Sequence, residues 1–279
     1  MVAMWLNDIY QSLNPVALQF GPVSIKWYAL AYIAGFVCAG AVLYNTARRW
    51  QLALSPDSLI TIINAAVIGV IVGGRLAYVL FYAGTYYFEH PVEILFLSQG
   101  GMSFHGGLIG ALAMGCVACR YLHFRPLSVI DMAVIGAPIG LFFGRVANFV
   151  NGELWGKPTD AAWGVIFART GGGMVARHPS QLYEALLEGV VIFAVLFWLS
   201  RSRTMSKRMY EGSYTGLFLL MYGIVRFLIE FVRLPDVQLG YLLGTSWLTM
   251  GQVLSLPVIG AGALLCIYSL KKKRQHSLV

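Results

Sequence analysis

Charge is scarce in this sequence: Asp, Glu, Lys and Arg make up 11% of the 279 residues, while 58% are hydrophobic. A soluble domain carries about a quarter of its residues as charged groups, so that class is excluded. With a mean hydropathy of +0.70 the chain reads as a polytopic membrane protein. Cysteine is rare as well, and Cys38, Cys116, Cys119 and Cys266 all fall inside apolar runs. Cys116 and Cys119 have CxxC spacing but lack the partner His or Cys ligands of a metal site and the βαβ context of a redox motif, so they read as small packing residues. Also missing are a P-loop, a dinucleotide fingerprint, a zinc motif and a GxSxG elbow. The absence of an internal repeat at helix-pair scale speaks against a repeat-built transporter. No basic-then-apolar leader with a small-residue cleavage site precedes the first apolar run, so the first helix is expected to do the targeting.

What is present is a series of apolar stretches of about 20 residues, the length that carries a helix across roughly 30 Å of hydrocarbon. They lie near residues 25–45, 59–82, 101–119, 128–150, 182–199, 214–234 and 250–270. Backbone groups in hydrocarbon must bond within their own segment, so runs this long are helical. The expected fold is all-α, a single domain over residues 1–279 with about seven transmembrane helices. Positive residues mark the cytoplasmic side. Arg48 and Arg49 follow the first span, Arg120 and Arg125 the third, Arg201, Arg203, Lys207 and Arg208 the fifth, and Lys271, Lys272, Lys273 and Arg274 the seventh. The N-terminal segment has no Lys or Arg before Lys26, and the loop after the second span has Glu89, His90 and Glu93 but no cation. The N-terminus is therefore expected outside and the C-terminus inside. The net charge of +8 reads as a topology signal and an attraction for anionic membrane lipid, not for nucleic acid.

That orientation sorts the polar residues by depth. Tyr28, Arg75, His105, Arg145, Asn148, His178, Gln181, Glu184, Arg226, Glu230 and Arg233 all fall toward the outer leaflet, and only Asp131 stands toward the inner one. A charge in the membrane costs on the order of 2.5–3.5 kcal/mol at a helix centre, so such groups face a cavity, pair and do work. Snorkelling to the headgroups is the alternative for any single Arg or Lys near a span end.

Four stretches carry the chemistry. In "GRVANFVNGELWG", Gly144 to Gly156, Arg145 and Asn148 are neighbours on a helix face, and Asn151 and Glu153 return near its end. A guanidinium beside carboxamides suits a phosphate; helix-end capping by Asn151 is the plainer account. Upstream, Gly136, Gly140 and Gly144 recur at the spacing that lets another helix approach closely. In "YGIVRFLIEFVR", Tyr222, Arg226, Glu230 and Arg233 share an arc of about 80° at 100° per residue, a polar stripe with one positive charge left over after an Arg226–Glu230 pair. "FHGGLIG" places His105 at the outer end of the third span, followed by a glycine pair, where a neutral imidazole among arginines suits a base. "RHPSQLYEA" enters the fifth span through Pro179 and Ser180, which look like helix-start residues, with His178 and Glu184 as further candidates. The segment 151–180, with Gly171 to Gly173, is expected to be an outer loop or lid.

These stretches closely resemble the phosphatidylglycerol–prolipoprotein diacylglyceryl transferase family. "GRVANFVNGELWG" is similar to that family's signature G-R-x-[GA]-N-F-x-N-x-E-x-x-G at every fixed position, and "HGGLIG", "HPSQLYE" and "YGIVRFLIEFVRLPD" match in order, from about Ile25 to Leu256. The resemblance implies transfer of the diacylglyceryl group of phosphatidylglycerol to the lipobox cysteine thiol of a preprolipoprotein, giving a thioether and glycerol phosphate. It implies a multi-pass protein of the bacterial inner membrane whose site faces the outer leaflet. By the same resemblance His105, Asn148 and Gly156 are essential and Arg145 binds phosphatidylglycerol. Tyr28, Glu153, Tyr222, Arg226 and Glu230 matter for activity. The expected catalytic set is His105, Arg226, Tyr222, Glu230 and Asn148, and the substrate-binding set Arg145, Tyr28, Asn151, Glu153, Gly156 and Arg233. No metal or other cofactor is called for, because the arginines supply the positive charge. A transporter or flippase for an anionic solute or lipid should need polar residues through its whole depth, and a membrane scaffold has no use for a charged layer.

Overall fold

The computed structural model describes residues 5–21, 23–52, 54–82, 84–96, 100–201, 210–235 and 240–276. Arg203, Lys207 and Arg208, used above for orientation, lie outside the described residues. The first described element was not expected from hydropathy: a short amphipathic helix, α1 (Trp5–Ser12), followed by an antiparallel hairpin of β1 (Val16–Phe20) and β2 (Val23–Lys26). Helices then occupy each of the apolar stretches: α2 (Trp27–Arg49), α3 (Pro56–Phe81), α4 (Phe104–Tyr121), α5 (Pro126–Asn151), α6 (Ser180–Arg201), α7 (Ser213–Ile229) and α8 (Met250–His276). Five of them, α2, α3, α5, α6 and α8, are long and apolar enough to cross a membrane; α7 is a shorter apolar helix. The expected fold class holds at the level of a mostly helical chain with several such helices. Between α5 and α6 lies a two-stranded sheet of β3 (Val165–Ile166) and β4 (Ala176–Arg177).

Local chemistry sets several helix starts. Ser55 caps α3 by accepting from Ser58 N at 3.1 Å, with Pro56 at the first helical position. Asp131, the one polar residue expected toward the inner side, is a cap: it accepts from Gly212 N at 2.7 Å, Thr215 N at 2.7 Å and Thr215 Oγ1 at 2.5 Å, at the start of α7.

The chain forms two compact units, residues 47–129 and residues 1–46 with 130–279. In the first, α3 and α4 pack backbone to backbone, because a Cβ on Gly69 or Gly73 would collide with the carbonyls of Gly110 or Gly106. The glycine beside His105 thus serves helix approach. Arg75, 3% exposed, spends its guanidinium on the segment joining these helices. It donates to the carbonyls of Ile94 (2.7 Å), Glu93 (2.7 Å), Gly100 (2.6 Å), Gly101 (3.1 Å) and Phe96 (3.3 Å), and lies 5.0 Å from the Tyr87 ring centre.

In the second unit, α7 packs on α8 through Gly216, Gly223 and Gly262, each too close to the facing helix for a side chain. Of the three glycines expected to admit a neighbour on α5, Gly136 and Gly140 lie against Ala39 and Gly35 of α2, whereas Gly144 faces open space. Helix α1 buries Leu6 and Tyr10 against Phe149, Val165 and Phe167. Asn7 Oδ1 accepts from Ile166 N at 3.0 Å and Gln11 Nε2 donates to Ile166 O at 2.9 Å, so α1 holds the α5–α6 segment by the edge of β3.

Candidate active site

The polar side chains of α5, α6 and α7 meet on Glu184. Its Oε2 lies 3.1 Å from Arg145 Nε, and its Oε1 lies 2.5 Å from Arg226 Nη1 and 3.3 Å from Arg233 Nη1. Arg226 Nη2 pairs with Glu230 one turn on, and Glu230 Oε2 accepts from Thr249 Oγ1 at 2.5 Å, just before α8. Arg145 Nη2 reaches Glu188 Oε2 at 3.5 Å. Three arginines thus face three glutamates, and the positive charge left over on the Tyr222–Arg233 stripe is taken up by Glu184 from another helix. The arrangement has a front and a back. Glu184 and Glu188 side chains are 0% exposed, whereas Arg145, Arg226 and Arg233 keep 17%, 16% and 11% of theirs.

Close packing builds this cluster. A Cβ on Gly189 would stand 2.6 Å from Phe142 Cβ, so α6 approaches α5 closely beside Glu188 and one turn before Arg145. Residues Ala185–Val191 of α6 form a π-helical turn, a feature that often marks functional sites. A Cβ on Gly251 would meet the Glu230 carboxyl carbon at 2.5 Å, so the start of α8 closes against that acid.

The signature stretch forms a second, adjoining set. Asn148 Nδ2 donates to Glu153 Oε1 at 2.8 Å, Asn151 Nδ2 to the same oxygen at 3.4 Å, and Glu153 N to Asn148 O at 3.0 Å. Gly152 turns the chain with φ +71°. Gln181 Nε2 then donates to Glu153 O at 2.5 Å and Ser180 Oγ to Leu154 O at 2.9 Å. Pro179 and Ser180 stand at the helix start, as expected, but the side chains of Ser180 and Gln181 tie the loop after α5 to the start of α6 and make no cap hydrogen bond to their own helix. Gly156 N donates to His178 O at 2.9 Å, and Gly156 bridges Arg233 as a strand neighbour. A Cβ at Gly156 would lie 2.6 Å from Val232 O and 2.8 Å from His178 Cβ. The loop after α5, which carries Glu153 and Gly156, thus holds the backbone of Arg233 through Gly156.

The remaining expected residues fall elsewhere. Tyr222, stacked on Phe218 at 5.9 Å, lies within electrostatic reach of Glu188, Arg226, Arg145 and Glu184. Tyr28 sits half-buried in the first turn of α2. His105 is exposed in the first turn of α4, in the 47–129 unit. Arg75 is a clamp for a loop and not an anion-facing group. His178 places Nδ1 3.0 Å from Tyr183 Oη, which also accepts from Trp163 Nε1 at 2.6 Å, and burial lowers its pKa. Glu188 was missed in the sequence, although it lies one turn beyond Glu184 in the same apolar run.

A sequence profile described as prolipoprotein diacylglyceryl transferase matches residues 15–268. The chain belongs to that family. Relatives bear this out over nearly their whole length. A protein of Rhodospirillum centenum named phosphatidylglycerol–prolipoprotein diacylglyceryl transferase is 47% identical over 254 residues, 91% of this chain and 90% of its own. Proteins of the same name from Nitratidesulfovibrio vulgaris and Solidesulfovibrio magneticus are 45% identical over 258 residues and 46% over 254, covering 92% and 91% of this chain and 94% of each relative. The family's profile extends beyond the span of the sequence motifs at both ends, taking in β1 and most of α8.

Proposed function

We propose that this chain transfers the diacylglyceryl group of phosphatidylglycerol to the lipobox cysteine thiol of preprolipoproteins at the outer leaflet of the bacterial inner membrane. The observation that carries the reading is the convergence of Arg145, Arg226 and Arg233 on one fully buried carboxylate, each arginine side chain keeping some exposure that the acid lacks. A lipid phosphodiester is a monoanion that fits such a front of forked donors.

In the reaction the cysteine sulfur forms a bond to the glycerol carbon of the lipid as the bond from that carbon to the phosphate oxygen breaks. The thiol proton goes to a base, and glycerol phosphate leaves. Charge grows on the phosphate oxygens as the bond breaks, so Arg145 and Arg226 stabilise the transition state more than the ground state. Glu184 and Glu230 hold Arg226 from both sides and set its direction. Tyr222, beside the cluster, orients the lipid headgroup or relays a proton. Asn148, Asn151, Glu153 and Gly156 shape the rim and hold Arg233, and Tyr28 completes the substrate-binding set. His105 takes the thiol proton; its support is the matching "HGGLIG" stretch and the chemistry of imidazole.

The same reading has seven spans, the N-terminus outside and the C-terminus inside. Contacts between distant segments support the count. Helix α1 bonds to β3, and the four helices α2 to α5 lie between them, an even number of crossings. Asp131 at the start of α5 bonds to Gly212 before α7, with α5 and α6 between.

The experiment uses the purified full chain in detergent with phosphatidylglycerol and a synthetic lipobox peptide, following glycerol phosphate and peptide mass. Glycerol phosphate together with a peptide heavier by one diacylglyceryl group supports the transferase. Lipid that binds but yields no product with peptide present overturns it in favour of transport of the same lipid.

A further inference from the structure

Glu188 is the least compensated acid of the cluster. Glu184 has three guanidinium partners and Glu230 has Arg226 and Thr249. Glu188, also 0% exposed, has only the 3.5 Å contact from Oε2 to Arg145 Nη2, and its Oε1 is buried with no hydrogen-bond partner among the described residues. The groups that face it are Arg145 from α5, Arg226 and Tyr222 from α7, and Glu184 on its own helix. It sits on the π-helical turn, beside the close contact of Gly189 with Phe142, so its position relative to Arg145 is fixed by backbone packing.

Charge counting gives this acid a task. With all members ionised, three arginines and three glutamates sum to zero. A phosphodiester that binds at the arginine front adds one negative charge to a poorly solvated cluster, where like charges repel strongly. Arg145 is the guanidinium with the loosest acidic contact, and that contact is Glu188. We propose that Glu188 takes up one proton from solvent as an anionic lipid phosphodiester binds to Arg145. The carboxylate becomes a carboxylic acid, Arg145 exchanges one anionic neighbour for another, and the cluster stays neutral. Glu188 is then a positioning residue for Arg145 and couples lipid binding to proton uptake. The inference rests on the proposed function in taking phosphatidylglycerol as the lipid.

The test is calorimetric titration of the full chain in detergent with short-chain phosphatidylglycerol, in buffers that differ in ionisation enthalpy at one pH. The dependence of the heat on buffer counts protons, and the expected count for the unaltered protein is about one taken up per lipid bound. Glu188→Gln is expected to bind the lipid with almost no proton uptake, and Glu188→Asp to retain it. In turnover, KM for the lipid should rise with pH in the unaltered protein, by up to about tenfold per unit above the transition, and stay level in Glu188→Gln. A purely structural Glu188 leaves the proton count unchanged. Lipid binding to the unaltered protein without proton uptake overturns the inference, as does equal uptake by a folded Glu188→Gln protein. If Glu188→Gln does not fold, the count on the unaltered protein decides alone. No lipid binding at all overturns the substrate reading, and the inference with it.

Discussion

Glu184 Oε1 accepts from Arg226 at 2.5 Å and from Arg233 at 3.3 Å, while Oε2 stands 3.1 Å from Arg145 Nε, so one carboxylate links α5, α6 and the end of α7. Removing its charge leaves guanidinium groups without their common partner in a buried site, a loss of about 3–5 kcal/mol by comparison with other broken buried pairs. Glu184→Gln is therefore expected to lower the thermal unfolding midpoint in detergent and to abolish turnover. An unchanged midpoint would show that the arginines do not depend on Glu184.

Arg145 and Arg75 separate binding from architecture. Arg145→Lys keeps the charge but loses the fork, and one charge-assisted hydrogen bond of about 1.5–3 kcal/mol corresponds to roughly a tenfold or greater fall in kcat/KM for lipid. Arg75→Lys gives up bonds to backbone carbonyls and is expected to lower stability with little change in KM for lipid. Steady-state kinetics with thermal melts of both variants check the contrast; equal effects on KM would overturn it.

Gly156→Ala tests the rim. The new methyl group would stand 2.6 Å from Val232 O and 2.8 Å from His178 Cβ, so the bridge to Arg233 must open. Overpacking of this kind costs about 1–3 kcal/mol. A fall in both thermal midpoint and turnover is expected, whereas Gly144→Ala, which meets open space, should leave the midpoint unchanged.

His178 gives the loop before α6 an acid limit. Its folded pKa is lowered by burial, and in the unfolded chain the ring titrates near about 6.5. Between those two values the unfolded state binds more protons, so stability declines as pH falls through that window and is indifferent to this group above it. Thermal midpoints measured from about pH 8 down to about pH 5 should fall less in His178→Gln than in the unaltered chain.

The spanning helices were legible because long apolar runs have few other solutions in lipid. The set of Asn148, Asn151 and Glu153 was legible because its members are close in sequence. The charge balance was not, since the partners of Arg145 on α6 lie 39 and 43 residues away, and periodicity on one helix says nothing about acids on another. The partners of Arg75 were hidden for a related reason: its acceptors are backbone carbonyls, which every sequence has and no side-chain pattern reveals. Helix α1 escaped notice because at eight residues its apolar face is short, and its partner strand lies more than 150 residues on.

The clamp around Arg75 also bears on the order in which the protein is made. Every carbonyl that receives its guanidinium belongs to residues 18 to 26 positions later in the chain. When α3 first reaches the insertion machinery those acceptors are still inside the ribosome, so a helix released alone would carry an unmatched cation into lipid. In the proposed seven-span topology, α3 is expected to wait for α4 and to enter the bilayer with it as a hairpin, joined along Gly69, Gly73, Gly106 and Gly110.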